Sequence, residues 1–112
     1  MRLLTTISND GGVSKVKHYA GLPPTLTGGK DIRKELGGAC FLVIEEDPDG
    51  VFLYRYGARG EFVGDTWHMN LDDAKHQASY EYGDSVKGWA DVPAEIEDVV
   101  LFGLNHVTSD QL

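Results

Sequence analysis

The sequence predicts an α+β fold built on an antiparallel β-meander with one helix packed across a face of the sheet. Two observations carry this prediction. Three strand-like runs follow one another between residues 40 and 68, and a run with helical spacing follows over 71–82. A chain of 112 residues has the usual length of one domain, so we expect a single domain over 1–112 with a core unit over 39–83.

The three predicted strands follow one another through short turns. The first two, over about 40–46 and 51–56, are rich in β-branched and aromatic residues. Between them, the residues from Asp47 to Gly50 fit a type I turn, with proline at the second position and glycine at the fourth. The third strand is predicted over 61–68. Alternation along it places Glu61, Val63, Asp65 and Trp67 on one face and Phe62, Gly64, Thr66 and His68 on the other.

The helix is predicted over 71–82. Asn70 precedes it as the N-cap, because its side-chain oxygen can accept from the exposed amide of Asp72 or Asp73. Gly83 is placed to end it. The predicted apolar stripe consists of Leu71, Ala74, Ala78 and Tyr82.

The flanking segments extend this unit at both ends. Residues 1–38 are expected to form an N-terminal hairpin and loop, with strands at 2–8 and 13–19. A further C-terminal strand is predicted over 87–92. Residues 94–107 keep helical spacing but also fit a strand in part, so the pattern leaves a second helix and a strand open there.

The charge and composition narrow the classes of partner. Eighteen acids against ten bases give a net charge of −8, which disfavours binding to nucleic acid or to anionic membranes. Residues 37–112 hold fifteen of the acids and four of the bases, so a basic protein partner fits, although a solvated acidic surface is the favoured explanation of the charge. A single cysteine, Cys40, and no apolar run near the ~20 residues that cross a bilayer indicate a cytoplasmic protein.

Residues 51–93 contain three short sequence motifs. Gly64-Asp65-Thr66-Trp67-His68 is followed by Ala74-Lys75-x-Gln77-Ala78 within the predicted helix, and by Val92-Pro93. With these motifs the stretch resembles a group of short, uncharacterised bacterial proteins. The resemblance implies a bacterial, intracellular protein, and it supplies no activity and no catalytic residue.

A cluster of histidine and carboxylate side chains near the helix start is the candidate metal site. Asp72 and His76 stand at i and i+4 on one helical face, and His68 lies just before the helix. Zinc accepts imidazole and carboxylate ligands, so these three residues form a chemically suitable set. The alternative is that Asp72 and His76 form an exposed pair, and we expect no cofactor.

An acid/base site centred on His68 is the enzymatic alternative. His68 would act as general acid or base, oriented by Asp65 or Glu81, with Asp65 as the second catalytic candidate. The sequence shows no nucleophile elbow, no phosphate-binding loop and no evident oxyanion donors. An enzyme is therefore the second hypothesis, and it would be metal-dependent or acid/base in type.

The segment from Gly64 to His68 also has a structural interpretation. Asp65 and Thr66 are expected to bond local backbone amides where strand pairing ends. Trp67 is expected to cover the helix or to seal the sheet edge.

Aromatic residues near the acids form the candidate interaction surface. Tyrosine and tryptophan are common anchors of protein interfaces, although these rings also suit completion of a small core. We expect a non-enzymatic interaction or accessory module whose partner is a protein, a second copy of the chain included. The surface consists of Tyr54, Tyr56, Trp67 and Trp89.

Overall fold

The chain folds around a five-stranded antiparallel sheet with a helix on each face. The computed structural model describes residues 1–7, 19–20, 34–35, 38–86 and 88–110. In chain order the elements are β1 (Arg2–Thr6), β2 (Tyr19–Ala20), β3 (Lys34–Glu35), β4 (Phe41–Asp47), β5 (Gly50–Tyr56), β6 (Phe62–His68), α1 (Leu71–Tyr82), β7 (Ala90–Asp91) and α2 (Val99–Asp110).

The sheet has the strand order β6-β5-β4-β1-β7. The predicted meander is confirmed as β4, β5 and β6, each within one residue of its expected bounds. β1 lies between β4 and β7 and pairs antiparallel with both. β2 and β3 form a separate two-stranded pair. The second strand of the predicted N-terminal hairpin lies outside the described residues, except at Tyr19.

The turn between β4 and β5 has the predicted position. Asp47 and Gly50 are register partners, and the Asp47 side chain accepts a hydrogen bond from the backbone N–H of Asp49 at 2.8 Å. Gly50 has a φ of 150°, a conformation that a residue with a side chain rarely adopts. Asp47 and Gly50 therefore suit this turn for different reasons. Asp47 accepts a hydrogen bond through its side chain, and Gly50 can adopt a positive φ.

Helix α1 has the predicted bounds and both predicted caps. The side chain of Asn70 accepts from the backbone N–H of Asp73 at 2.8 Å, and Gly83 ends the helix with a positive φ of 55°. Ala74 and Ala78 are fully buried against the sheet. Their small side chains let the helix backbone lie close to the strands.

The C-terminal segment, for which the sequence left helix and strand open, forms helix α2. Asp98 accepts from the backbone N–H of Leu101 at 3.0 Å and caps the helix start. Gly103 lies over the ring of Phe41, where an added Cβ would stand 2.2 Å from Cε2 of that ring. The absence of a side chain at Gly103 thus allows α2 to approach β4.

The two helices enclose separate apolar cores. Beneath α1 the sheet contributes Leu42, Ile44 and Leu53 to a cluster with the helix alanines. Beneath α2 it contributes Leu4, Phe41 and Val43, which cluster with Val92, the residue after β7. Among the described residues, no helix is long and apolar enough to cross a bilayer.

Candidate functional site

Alternate residues of β5 point to opposite faces of the sheet. Val51, Leu53 and Arg55 are buried on the face that α1 covers. Phe52, Tyr54 and Tyr56 lie on the other face and are only partly buried. The strand therefore presents an aliphatic and charged side to one helix and a row of rings to the opposite layer.

Helix α2 covers only part of its face of the sheet. Phe41 and Val43 on β4 are fully buried beneath it. Beyond β4, the rings on β5 are half-buried and those on β6 are exposed. We call this uncovered region the aromatic face, and it consists of Phe52, Tyr54, Tyr56, Phe62 and Trp67.

A β-bulge places Phe62 on the aromatic face. Tyr54 pairs with Asp65 and Tyr56 pairs with Phe62, so two residues of β6 occupy the space opposite one residue of β5. Gly64, within the bulge, has a φ of 120°. The prediction that strict alternation separates Phe62 from Asp65 and Trp67 is wrong, because the extra residue reverses the side on which Phe62 emerges.

Trp67 lies across the turn between β4 and β5. Its indole N–H donates to the carbonyl oxygen of Asp49 at 3.2 Å, and the ring occupies the space beside Gly50. Its side chain remains 54% exposed. The expected position over α1 is not found, because Trp67 pairs with Phe52 and so lies on the opposite face of the sheet; the indole instead covers the turn beside the edge strand β6.

Strand pairing does not end at Asp65 and Thr66 as expected. The register between β5 and β6 continues to the pair of Val51 and His68. Thr66 makes hydrogen bonds to other side chains, described below. From Asp65 onward the strand is therefore regularly paired up to its last residue, two positions before the N-cap Asn70.

The rings of the aromatic face form a continuous row. The ring centroids of Phe52 and Tyr54 are 5.9 Å apart, and those of Tyr54 and Tyr56 are 6.5 Å apart. Tyr56 also stacks on the buried ring of Phe41 at 5.2 Å. The half-buried rings of β5 are thus anchored to the apolar core through Tyr56 and hold defined positions.

Two carboxylates lie among these rings. Glu45 stands opposite Phe52, and Asp65 stands opposite Tyr54. In the part of the chain that the structure describes, neither carboxylate forms an ion pair. Arg2 is the cross-strand neighbour of Glu45, but its guanidinium donates to the carbonyl oxygens that precede α2, at Pro93 and Ile96.

The negative charge of these carboxylates acts on the tyrosines. Burial is the main cause that raises the pKa of Tyr54, and Glu45 and Asp65 raise it further. The pKa of Tyr56 is raised by burial and then by Tyr54, Glu45 and Asp65. The aromatic face is therefore apolar in its rings and negative in its potential.

The structure brings together three of the four residues predicted as an interaction surface. Tyr54, Tyr56 and Trp67 share the aromatic face. Trp89 packs instead against the cluster beneath α1. Phe52 and Phe62 were not included in the predicted surface. Strand alternation with Tyr54 would have found Phe52, whereas the bulge that places Phe62 leaves little signal in the sequence.

The opposite face of the same strands carries a buried ion pair. The guanidinium of Arg55 donates to both carboxylate oxygens of Glu81, through Nε at 2.9 Å and through Nη2, and both side chains are 0% exposed. Arg55 also donates to the carbonyl oxygen of Leu53 at 3.2 Å, and Gln77 donates to Glu81 at 2.7 Å. The pair joins β5 to the last turn of α1.

His68 belongs to the same polar network. Arg55 donates to the hydroxyl oxygen of Thr66 at 3.1 Å, and that hydroxyl lies 2.7 Å from Nε2 of His68. The carboxylate of Asp73 can only accept, so Nδ1–H of His68 donates to it at 3.3 Å, and in the neutral imidazole Nε2 then accepts from the threonine hydroxyl. The network runs continuously from the end of α1 to its first turn.

The residues proposed to orient His68 lie elsewhere. Asp65 is on the opposite face of the sheet, and Glu81 is connected to His68 through Arg55 and Thr66. The orienting carboxylate is that of Asp73. With both ring nitrogens bonded to side chains and the ring buried, His68 links β6 to α1.

The candidate metal ligands do not come together. Asp72 and His76 are exposed on α1, whereas the buried imidazole of His68 is directed to Thr66 and Asp73. Among the described residues there is no group of three histidine, cysteine or acidic side chains arranged to hold a metal ion. The i and i+4 spacing places Asp72 and His76 on an exposed side of the helix, whereas the ring of His68, on β6, lies beneath the helix and bonds Asp73 and Thr66.

Comparison with known protein families, with curated proteins and with solved structures finds no match to this chain. The function is therefore inferred from the chemistry and geometry of the site alone. Of its two features, the polar network is closed beneath α1, and the aromatic face is open.

Proposed function

We propose that this protein is a non-enzymatic interaction module that holds a basic segment of a partner protein on its aromatic face. The observation that carries the proposal is the exposure of Phe62 and Trp67, 52% and 54%, beside the half-buried Tyr54 and Tyr56. Contiguous exposed rings of this kind are typical of binding surfaces, and tyrosine and tryptophan are frequent energetic anchors there.

Charge complementarity supports a basic occupant. Glu45 and Asp65 lie among the rings without an ion-pair partner in the described part of the chain. A lysine or arginine placed there gains both a carboxylate and the face of a ring. A second copy of the chain brings its own net charge of −8 and nucleic acid brings phosphates, so both are repelled.

An enzyme centred on His68 is the second candidate. The order of hydroxyl, imidazole and carboxylate at Thr66, His68 and Asp73 is one that acyl-transfer enzymes use. It receives less support, because His68 is buried and the hydroxyl oxygen also accepts from Arg55. Hydrolysis of an activated ester that is lost in His68→Gln, in protein that keeps its fold, would favour this candidate over the first.

A displayed library of random peptides tests the interaction module. Peptides selected on the protein are expected to be enriched in lysine and arginine. Their affinity should fall at least about tenfold in Trp67→Ala or Tyr54→Ala, as for interface anchors. Tyr80→Ala is the matched control, because Tyr80 is an exposed tyrosine on α1, away from the aromatic face. Asp65→Asn should weaken binding, and Asp72→Asn should not.

Two results would contradict the proposal. One is a selected set without enrichment of basic residues. The other is binding that Trp67→Ala and Tyr54→Ala leave unchanged while thermal unfolding shows both variants folded. The second result would place the contact on another surface of the molecule.

A further inference from the structure

The manner in which a segment would lie on the aromatic face follows from the edge of the sheet. β6 is the last strand on its side, seven residues long, and among the described residues it pairs with β5 alone. An edge strand carries a row of backbone N–H and C=O groups that its single neighbour does not use. Which residues of β6 carry them is determined by the ladder.

The direction of each backbone group can be traced from β1 outward. The N–H of Glu46 donates to the carbonyl oxygen of Met1, so Glu46 directs its backbone groups toward β1. In an antiparallel ladder successive residues alternate between the two neighbours, so Glu45 and Val43 direct theirs toward β5. Their partners Phe52 and Tyr54 are thereby committed to β4.

The same alternation continues into β6. Val51 and Leu53 are left to bond β6, and their register partners are His68 and Thr66. Asp65 precedes Thr66, and Trp67 lies between Thr66 and His68. By the same alternation, Asp65 and Trp67 direct their backbone N–H and C=O groups away from β5, to the outer edge of the sheet.

These two residues also belong to the site. Trp67 is part of the aromatic face, and Asp65 is one of its two carboxylates. A strand added beside them places every second side chain on the aromatic face, next to Asp65 and Trp67. The bulge at Val63 and Gly64 interrupts the regular edge, so the added strand pairs along the last four residues of β6.

We propose that the partner segment binds as an extended strand paired with the backbone of Asp65 and Trp67, with lysine or arginine beside Asp65 and an arginine or aromatic residue two positions along, beside Trp67. This inference rests on the proposed function. Backbone hydrogen bonds provide affinity in such strand addition, and the alternate side chains provide specificity. Side chains at the intervening positions face the exposed carboxylate of Asp73 at the start of α1.

Backbone methylation of a peptide from the library selection tests this mode. A methyl group on a peptide nitrogen removes one donor and leaves the side chains intact. Methylation at alternate nitrogens is expected to weaken binding about tenfold or more, the effect of losing backbone hydrogen bonds at an edge, and methylation at the intervening nitrogens much less. In hydrogen exchange the peptide should slow the amides of Asp65 and Trp67. The amides of Thr66 and His68, already bonded within the sheet, are the internal control.

A pair of variants tests the edge from the protein side. Asp65→Asn removes the charge and keeps the backbone N–H, whereas Asp65→Pro removes both. The proline is compatible with the sheet because this N–H is not used by β5. We expect Asp65→Pro to bind the peptide more weakly than Asp65→Asn, with thermal unfolding confirming that both fold. Equal affinities would contradict strand addition.

The failures are distinguishable. If Trp67→Ala abolishes peptide binding while every methylated peptide binds normally and the amides of Asp65 and Trp67 exchange unchanged, strand addition is overturned and the interaction module stands. If Trp67→Ala leaves the affinity for the peptide unchanged, both proposals are overturned.

Discussion

The two faces of the sheet at β5 and β6 differ in how completely a helix covers them. On one face α1 buries Arg55, His68 and Glu81, and no buried side-chain nitrogen or oxygen of the described residues lacks a hydrogen-bond partner. On the other face α2 stops short, and Phe62 and Trp67 remain exposed. Besides the apolar cores on both faces, the α1 side thus buries a charged pair, while the α2 side leaves two aromatic rings exposed.

The largest expected effect is on the closed face. Arg55→Met leaves the Glu81 carboxylate buried without its partner, so the free energy of unfolding should fall by about 3–5 kcal/mol. Chemical denaturation measures the change. The double variant Arg55→Met with Glu81→Leu removes both charges and should recover much of the loss, because apolar residues of similar volume can replace a buried pair. A double variant no more stable than Arg55→Met would show that the pair has a structural role beyond mutual neutralisation.

The cover that α2 provides can be loosened at Gly103. The Cβ added by Gly103→Ala meets the buried ring of Phe41, and overpacking of this kind costs about 1–3 kcal/mol, partly offset by about 1 kcal/mol from the better helix propensity of alanine. We expect a net loss of stability in thermal or denaturant unfolding. Gly88→Ala is the control, since an added Cβ meets nothing within 4 Å there, and it should change stability by less than about 0.5 kcal/mol. Net stabilisation by Gly103→Ala would mean that α2 can move away from Phe41.

The two helices can be compared through their N-caps. Asn70→Ala removes the side-chain acceptor of the Asp73 amide, and Asp98→Ala removes that of the Leu101 amide. Each should lower the free energy of unfolding by about 1 kcal/mol, measured by denaturation. Only Asp98→Ala is expected to increase hydrogen exchange at the start of α2, the helix that borders the aromatic face. Equal exchange in the two variants would show that the helices do not open separately.

The smallest expected effect is a pH dependence of the open face. The pKa of Tyr54 and Tyr56 is raised, first by burial and then by nearby negative charge. Because the folded state disfavours the ionised phenols, their contribution to stability is complete below the unfolded pKa of about 10 and is lost as the pH rises through the folded values. Tyrosinate absorbance, with Tyr54→Phe and Tyr56→Phe for assignment, measures the titrations. Asp65→Asn should lower the pKa of Tyr54, and an unchanged titration would contradict the influence of this carboxylate.

Much of the fold could be predicted from local patterns. The meander and α1 follow from strand-like runs, a turn rich in Asp and Gly, and caps at Asn70 and Gly83, all of which act between residues close in the chain. The site was less predictable. Residue type and the nearby acids identified Tyr54, Tyr56 and Trp67 as candidates, but nothing in the sequence separated Trp89, which packs on the other side of the sheet. The candidate ligands Asp72 and His76 obeyed helical spacing, yet that spacing does not state which way His68 faces.

The sequence by itself determined the three-stranded meander and helix α1, because turn chemistry, capping and periodicity are local. Only the tertiary structure decided which side of each strand is covered. β1 enters between β4 and β7, Arg55 meets Glu81 across 26 residues, and Gly103 brings α2 against Phe41 on β4. These contacts join distant parts of the chain, and their selection depends on how whole layers pack. The same packing leaves Phe62 and Trp67 uncovered beside the outward backbone groups of β6.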